Sequence, residues 1–269
     1  MTKELIVAAL QLPTLGINAT RLEFYFKNAA KRGARVVLFG EYVLNHFFKE
    51  IKSIPLSMLK EQSSRHLNIL KDYAKRYDMV IIAPIIRIKG EKLYKSVAKI
   101  SAKKINYYDQ QILISYSHWN EEEFFANPKE PISPPMTFNI DGFRVMVMAG
   151  FELHFPEIWS YVKEKSIDLV LIPTSSTFGS HDRWREIIKT QAFIYGCYVL
   201  RANRLGEYSD AKTKWRFYGD SMLVNPEGEV EMMLEDKESM LIEEIDKEAL
   251  SEHRKSWKFT KSIKERESK

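Results

Sequence analysis

Residues 142–157, Gly142 to Glu157, read GFRVMVMAGFELHFPE. Val145 to Ala149 is a short, almost unbroken apolar run, which fits a strand covered on both faces. Gly150 follows, then Phe151, Glu152, Leu153 and His154, and then Pro156, suited to the first turn of a helix. A strand that ends in a turn and opens a helix is where α/β proteins commonly place their chemistry. The tip of this turn carries a glycine.

Working outward, the flanking segments alternate strand and helix. Glu4 to Leu12 reads as a first strand, Asn18 as the cap of a helix running to about Lys31, and Arg35 to Phe39 as a buried strand leading into Gly40-Glu41. That β-α-β unit favours parallel pairing with a right-handed crossover. Pro55 to Tyr77 has helical spacing, and Met79 to Ile88 is the next strand. Leu93 to Ile100 and Lys104 to Tyr108 form a strand pair. Gln110 to Pro135 lacks a regular pattern, and a stretch of that kind inside a compact domain is often part of a site. Met136 to Ile140 and Arg144 to Ala149 pair across Asp141-Gly142. The second half repeats the order: a helix over 156–165, a strand over Asp168 to Ile172, a helix from Arg183 to about Tyr195 and a strand over Cys197 to Ala202. A polar loop is expected over Asn203 to Tyr218. Hairpin strands follow, with a clear turn at Asn225-Pro226-Glu227-Gly228, then a terminal helix from about Lys247. Two sheets with helices on their outer faces accommodate this order.

The chain has 269 residues and a net charge of +5 with both signs abundant, which does not by itself imply nucleic acid. Its one cysteine, Cys197, excludes an internal disulfide framework and a cysteine-based zinc cluster. No secretion signal and no stretch of membrane-spanning length is present, so a cytoplasmic protein is expected. A single domain is expected over residues 1–260, followed by a basic tail at 261–269. No cofactor and no metal is implied, since no close pair of metal-type residues has a convincing third partner.

Three stretches, in order, resemble the nitrilase superfamily, the carbon–nitrogen hydrolases. They are NAAKRGARVVLFGE ending at Glu41, GFRVMVMAGFELHFPE, and RANRLG followed by GDSMLVNPEGEV. The resemblance covers nearly the whole chain. It implies an α/β fold, a four-layer α-β-β-α sandwich, and pairing of copies through an outer helical layer into a homodimer or larger homo-oligomer. It also implies hydrolysis of C–N bonds in small amides, nitriles and N-carbamoyl compounds. In the family a cysteine thiolate attacks, a glutamate acts as base and a lysine ammonium stabilises the developing charge.

Carried over residue by residue, the resemblance places the base at Glu41, the lysine position at Gln110 and the cysteine position at Gly150. A second glutamate falls at Glu121, or at Glu122 with a slip of one residue. Phe151 and Glu152 fall in supporting positions beside the turn. Glycine is no nucleophile, and glutamine carries no charge. Cys197, in the buried-strand pattern YGCYVL, is no replacement. From the residues alone, Gly150 is either a lost nucleophile or a turn needing a permissive backbone. Ser175, Ser176 and Thr177 read as an anion loop or as the region before a helix. His181 and Asp182 read as the start of that helix, and Trp257 and Phe259 as a packing contact. The expectation is a non-catalytic protein that binds a small amide-like or carboxylate ligand or a partner, with no nucleic-acid or membrane role. The alternative is an active amidase-type C–N hydrolase in which Glu41 activates water and Gln110 donates to the oxyanion.

Overall fold

Alternating strand and helix patterns dictate two successive β-α-β-α-β units, and the fold is built from them. The computed structural model describes residues 4–16, 20–211, 213–259, 261, 262 and 266. Asn18 therefore lies outside the described residues. The first unit comprises β1 (Glu4–Gln11), α1 (Thr20–Lys31), β2 (Val36–Phe39), α2 (Leu56–Arg76) and β3 (Val80–Lys89), and two antiparallel strands, β4 (Lys92–Ile100) and β5 (Ile105–Asp109), extend it. A two-residue hairpin, β6 (Ser115–Tyr116) and β7 (Trp119–Asn120), punctuates the irregular connection.

The second unit comprises β8 (Thr137–Ile140), β9 (Phe143–Val147), α3 (Pro156–Glu164), β10 (Leu169–Thr174), α4 (His181–Tyr195) and β11 (Tyr198–Asn203). The segment expected to be a polar loop instead forms the hairpin β12 (Leu205–Ser209) and β13 (Lys214–Tyr218). Its polar residues alternate with Tyr208, Trp215 and Phe217, which are buried in an aromatic cluster with Phe47 and Trp119. The apolar alternation therefore outweighs the polar composition. β14 (Met222–Val224), β15 (Val230–Met233), β16 (Ser239–Asp246) and α5 (Lys247–Trp257) complete the chain.

Each main sheet has six strands, ordered β16-β1-β2-β3-β4-β5 and β15-β14-β11-β10-β9-β8. In each, three central parallel strands are flanked by antiparallel ones. The sheets face each other through Val7, Val36, Leu38 and Ile82 on one side and Val145, Val147, Leu171 and Leu200 on the other. Leu22, Phe26 and Ala29, at spacings of four and three, lay α1 on the outer face of the first sheet, where Phe26 stacks on Tyr73 of α2 at 4.7 Å. Ile158, Trp159 and Val162 of α3 and Ile188 and Ala192 of α4 cover the second sheet in the same way. The result is the expected four-layer α-β-β-α sandwich. Its parallel strands end at one edge, and β2, β9 and β10 deliver their following residues to the same place.

Candidate active site

Gly40 leads β2 out of the sheet where the backbone of a second segment crosses it. A β carbon at Gly40 would lie 2.8 Å from the Arg204 amide nitrogen, so no other residue fits without a backbone shift. The next amide, Glu41 N, donates to Thr174 O at the end of β10 (3.0 Å). Glu41 is thus pinned between the two sheets and buried. Tyr42 takes a positive φ of 56°, a conformation unusual for a side chain of its size. That turn brings its hydroxyl to donate to Glu121 Oε1 at 2.6 Å.

Glu121, not Glu122, is the second glutamate of this site. Glu121 is fully buried, whereas Glu122 pairs with the exposed Lys129. Between Glu41 and Glu121 lies a residue the sequence reading missed, Lys95 of β4. Its Nζ is 3.2 Å from Glu41 Oε1 and 2.9 and 3.0 Å from the two oxygens of Glu121. Burial pulls the Lys95 ammonium down, but Glu121 and Glu41 more than offset this, and its pKa is raised. Burial also pushes the Glu41 carboxyl up, and the Glu121 charge adds to this while Lys95 and a serine hydroxyl oppose it.

Gln110 does not supply the expected donor to this cluster. Its side-chain amide donates to Ile112 O at 2.7 Å, and its Oε1 is buried without a partner among the described residues. The two positions are neighbours: Gln110 N donates to Lys95 O, next to the pair Ser96–Asp109. Asn127 clamps them, accepting from Lys95 N and donating to Lys95 O and Gln110 O. A positive charge therefore reaches Glu41 from the strand beside the expected one. The signal in the sequence was Lys95 itself, two residues from Val97 and so on the inward face of β4.

At the elbow the chain makes a 3₁₀ turn over Gly150–His154 before α3. Gly150 is not in the left-handed region, so a permissive backbone is not the reason for a glycine. The reason is close approach. A β carbon at this position would lie 2.8 Å from Pro173 O and 3.2 Å from Glu41 Oε1. Glu152 supports the turn: its carboxylate accepts from Tyr108 Oη (2.9 Å), Gln111 N (2.7 Å) and Ala149 N (2.9 Å). Burial raises its pKa to about 7 against these donors. Phe151 turns its ring toward Tyr116 and Phe155. His154, which is exposed, binds Phe151 O and packs edge-on against Trp184.

Glu41 and Gly150 form part of the floor of a cavity of about 350 Å³. Tyr116, His118, Phe151, Phe178 and Trp184 wall it, and the residues after β10 close it. Ser175 Oγ donates to Glu41 Oε2 at 2.7 Å, so this hydroxyl is engaged by the chain's own carboxylate. Asn203 shapes the loop. Its Oδ1 accepts from Ser176 N (2.7 Å) and from Thr174 Oγ1 (2.9 Å), and its Nδ2 donates to Gly219 O. Ser221 Oγ accepts from Asn203 N. The Asn and Ser of the third resembling stretch are thus scaffolding for the Ser175 loop. Sequence reading did not single out Ser175 as a partner of Glu41, because 134 residues separate them.

The remaining candidates lie outside the cavity. Cys197 is buried under α4, and burial raises its thiol to about 12. His181 and Asp182 open α4 as expected. Trp257 and Phe259 pack on Phe193. Among the described residues there is no group of three metal-type side chains able to hold an ion, and no helix is long and apolar enough to cross a membrane.

The four-layer sandwich defines a class, and comparison with known proteins agrees. The sequence model of the carbon-nitrogen hydrolase family matches residues 6–255. The chain belongs to that family, within the nitrilase superfamily. It is 22% identical over 270 residues to the deaminated glutathione amidase of Synechocystis sp., covering 94% of this chain and 95% of the relative. It is 22% identical over 274 residues to the N-carbamoylputrescine amidase of Arabidopsis thaliana, covering 95% and 91%. The crystal structure of a carbon-nitrogen hydrolase from Helicobacter pylori G27 superposes with a TM-score of 0.83 at 20% identity, over 96% of this chain and 94% of that one.

Proposed function

We propose that this chain binds a small amide-type molecule in the cavity over Glu41 and does not process it by the thiol route of its family. One observation carries the reading. The elbow is closed against β10, and Pro173 O stands 2.8 Å from where the first carbon of any side chain at residue 150 would be. In its simplest form the protein is a non-catalytic binder. The amide class follows from the two amidase relatives. The cavity volume of about 350 Å³ suits a small molecule with an apolar arm against Phe151, Phe178 and Trp184. The test is calorimetric titration with small amides, N-carbamoyl compounds and carboxylates, beside an assay for ammonia. Binding without ammonia release is the expected result, and ammonia release by the native protein overturns the non-catalytic form.

The buried charge cluster favours a second reading, an amidase-type hydrolase with Glu41 as base. Lys95, 3.2 Å from Glu41, provides the ammonium that residue 110 lacks. Release of ammonia that disappears in Glu41→Gln supports this reading. Two further inferences accompany either form. Copies of the chain pair through the exposed Ile194, Trp257 and Phe259, which sedimentation measures. The protein works in the cytoplasm, consistent with its single buried thiol.

A further inference from the structure

We infer that Ser175 is the nucleophile of this site: its hydroxyl, activated by Glu41, attacks the carbonyl carbon of a small primary amide and forms an acyl-serine. The inference rests on the hydrolytic reading and replaces activated water by a protein hydroxyl. Three observations meet at one point. Ser175 Oγ is buried, lines the cavity and already donates its hydrogen to Glu41 Oε2 at 2.7 Å, the contact a base needs to take a proton. Ser176, the next residue, also lines the cavity, and its hydroxyl is buried without a hydrogen-bond partner among the described residues. Such groups are rare in folded proteins, and a ligand oxygen is the natural acceptor. Lys95 stands on the other oxygen of Glu41, where its positive charge opposes the burial that raises this carboxyl. No thiol competes, since Cys197 lies in a different part of the core.

The chemistry closes on these groups. The Ser175 Oγ–C bond forms, the hydroxyl proton passes to Glu41 Oε2, and the carbonyl electron pair moves onto the oxygen facing Ser176. Collapse of the tetrahedral adduct breaks the C–N bond as Glu41 returns its proton to nitrogen, and ammonia leaves. Water then adds to the ester and gives its proton to Glu41. The carboxylic acid departs as that proton returns to Ser175 Oγ. Asn203 holds the geometry, because it fixes the backbone of Ser176 and the side chain of Thr174 on either side of the nucleophile.

The test uses the full chain with p-nitrophenyl acetate as the acylating probe and butyramide as the amide. Intact and peptide mass spectra are read beside calorimetry with butyramide. An acetyl group on Ser175 is expected, absent in Ser175→Ala and formed about 100-fold more slowly in Glu41→Gln. On the hydrolytic reading, ammonia release from butyramide is lost in Ser175→Ala and falls by the same factor of about 100 in Glu41→Gln. Ser175→Cys guards against misfolding: its thiol, beside Glu41, is expected to be acetylated and to react with iodoacetamide. Butyramide binding with Ser175 left unmodified overturns the inference, as does ammonia release that survives in Ser175→Ala. Absence of both binding and acylation overturns it together with the amide-binding reading.

Discussion

The two halves of the site meet the same requirement for precise placement in opposite ways. In the charged half, Glu41 and Glu121 surround an ammonium that arrives from β4, although the sequence pattern points to the end of β5. In the elbow half, residue 150 is set by the backbone, and the carbonyl of Pro173 closes the space beside it. A charge acts through space, so a flexible four-carbon stem on β4 can bring an ammonium to both carboxylates. A nucleophile at a strand-to-helix elbow depends on where its own Cα stands, and no neighbour can imitate that. The charge has a substitute strand; a nucleophile here needs a different loop, which is where Ser175 stands.

The largest test of this contrast removes the relocated charge. Lys95→Met leaves two buried carboxylates without their shared ammonium. Breaking a buried ion pair from one side is expected to lower stability by about 3–5 kcal/mol, measured by urea denaturation at neutral pH. The deficit should grow with pH. Without Lys95 the Glu41 carboxyl rises further, and a group whose folded pKa is raised loses stability as pH climbs through that value. A variant as stable as the native chain at all pH values means that Lys95 does not hold the cluster together.

Glu152 offers the next effect and lies where the two halves join. Its carboxyl stands at about 7 in the folded chain against an ordinary 4.5. The folded state therefore holds this proton where the unfolded chain has released it. The corresponding stability is present below about 4.5 and is lost as pH rises through about 7, an effect of about 3 kcal/mol. Glu152→Gln should flatten that slope when the two stability curves are subtracted. It should also lower stability overall, because one amide hydrogen then faces the Gln111 or Ala149 N–H or the Tyr108 hydroxyl that Glu152 accepts from. A difference curve with no slope between pH 4 and 8 rules out the buried proton.

What the sequence disclosed follows the same division between local and distant causes. Apolar periodicity and Pro156 placed the strands, the outer helices and the elbow, because those features are local. Glu41 was legible through its ordered motif, and Glu121 only as one of two neighbouring glutamates until burial separated them. Lys95 was not, because a lysine two residues from Val97 looks like any strand residue until β4 and β5 are in register. Ser175 was not, because its partner lies in the other sheet. The hairpin β12–β13 was hidden by Gly206, Glu207, Lys214 and Arg216, which are interleaved with the aromatic side chains that anchor it.

The smallest expected effect bears most directly on the elbow. Gly150→Ala adds one carbon, which meets Pro173 O at 2.8 Å and Glu41 Oε1 at 3.2 Å. The oxygen of Pro173 belongs to the backbone of a buried strand and cannot swing away. Overpacking of this kind is expected to lower stability by about 1–3 kcal/mol and to weaken amide binding by displacing Glu41. Gly179→Ala is the reference, since a β carbon there meets nothing within 4 Å. It should leave stability unchanged or raise it by about 0.4–1 kcal/mol through the unfolded chain. Denaturation midpoints for the two variants decide the matter. If Gly150→Ala is as harmless as Gly179→Ala, the elbow has room for a side chain, and the closed approach of β10 no longer argues against a thiol at residue 150.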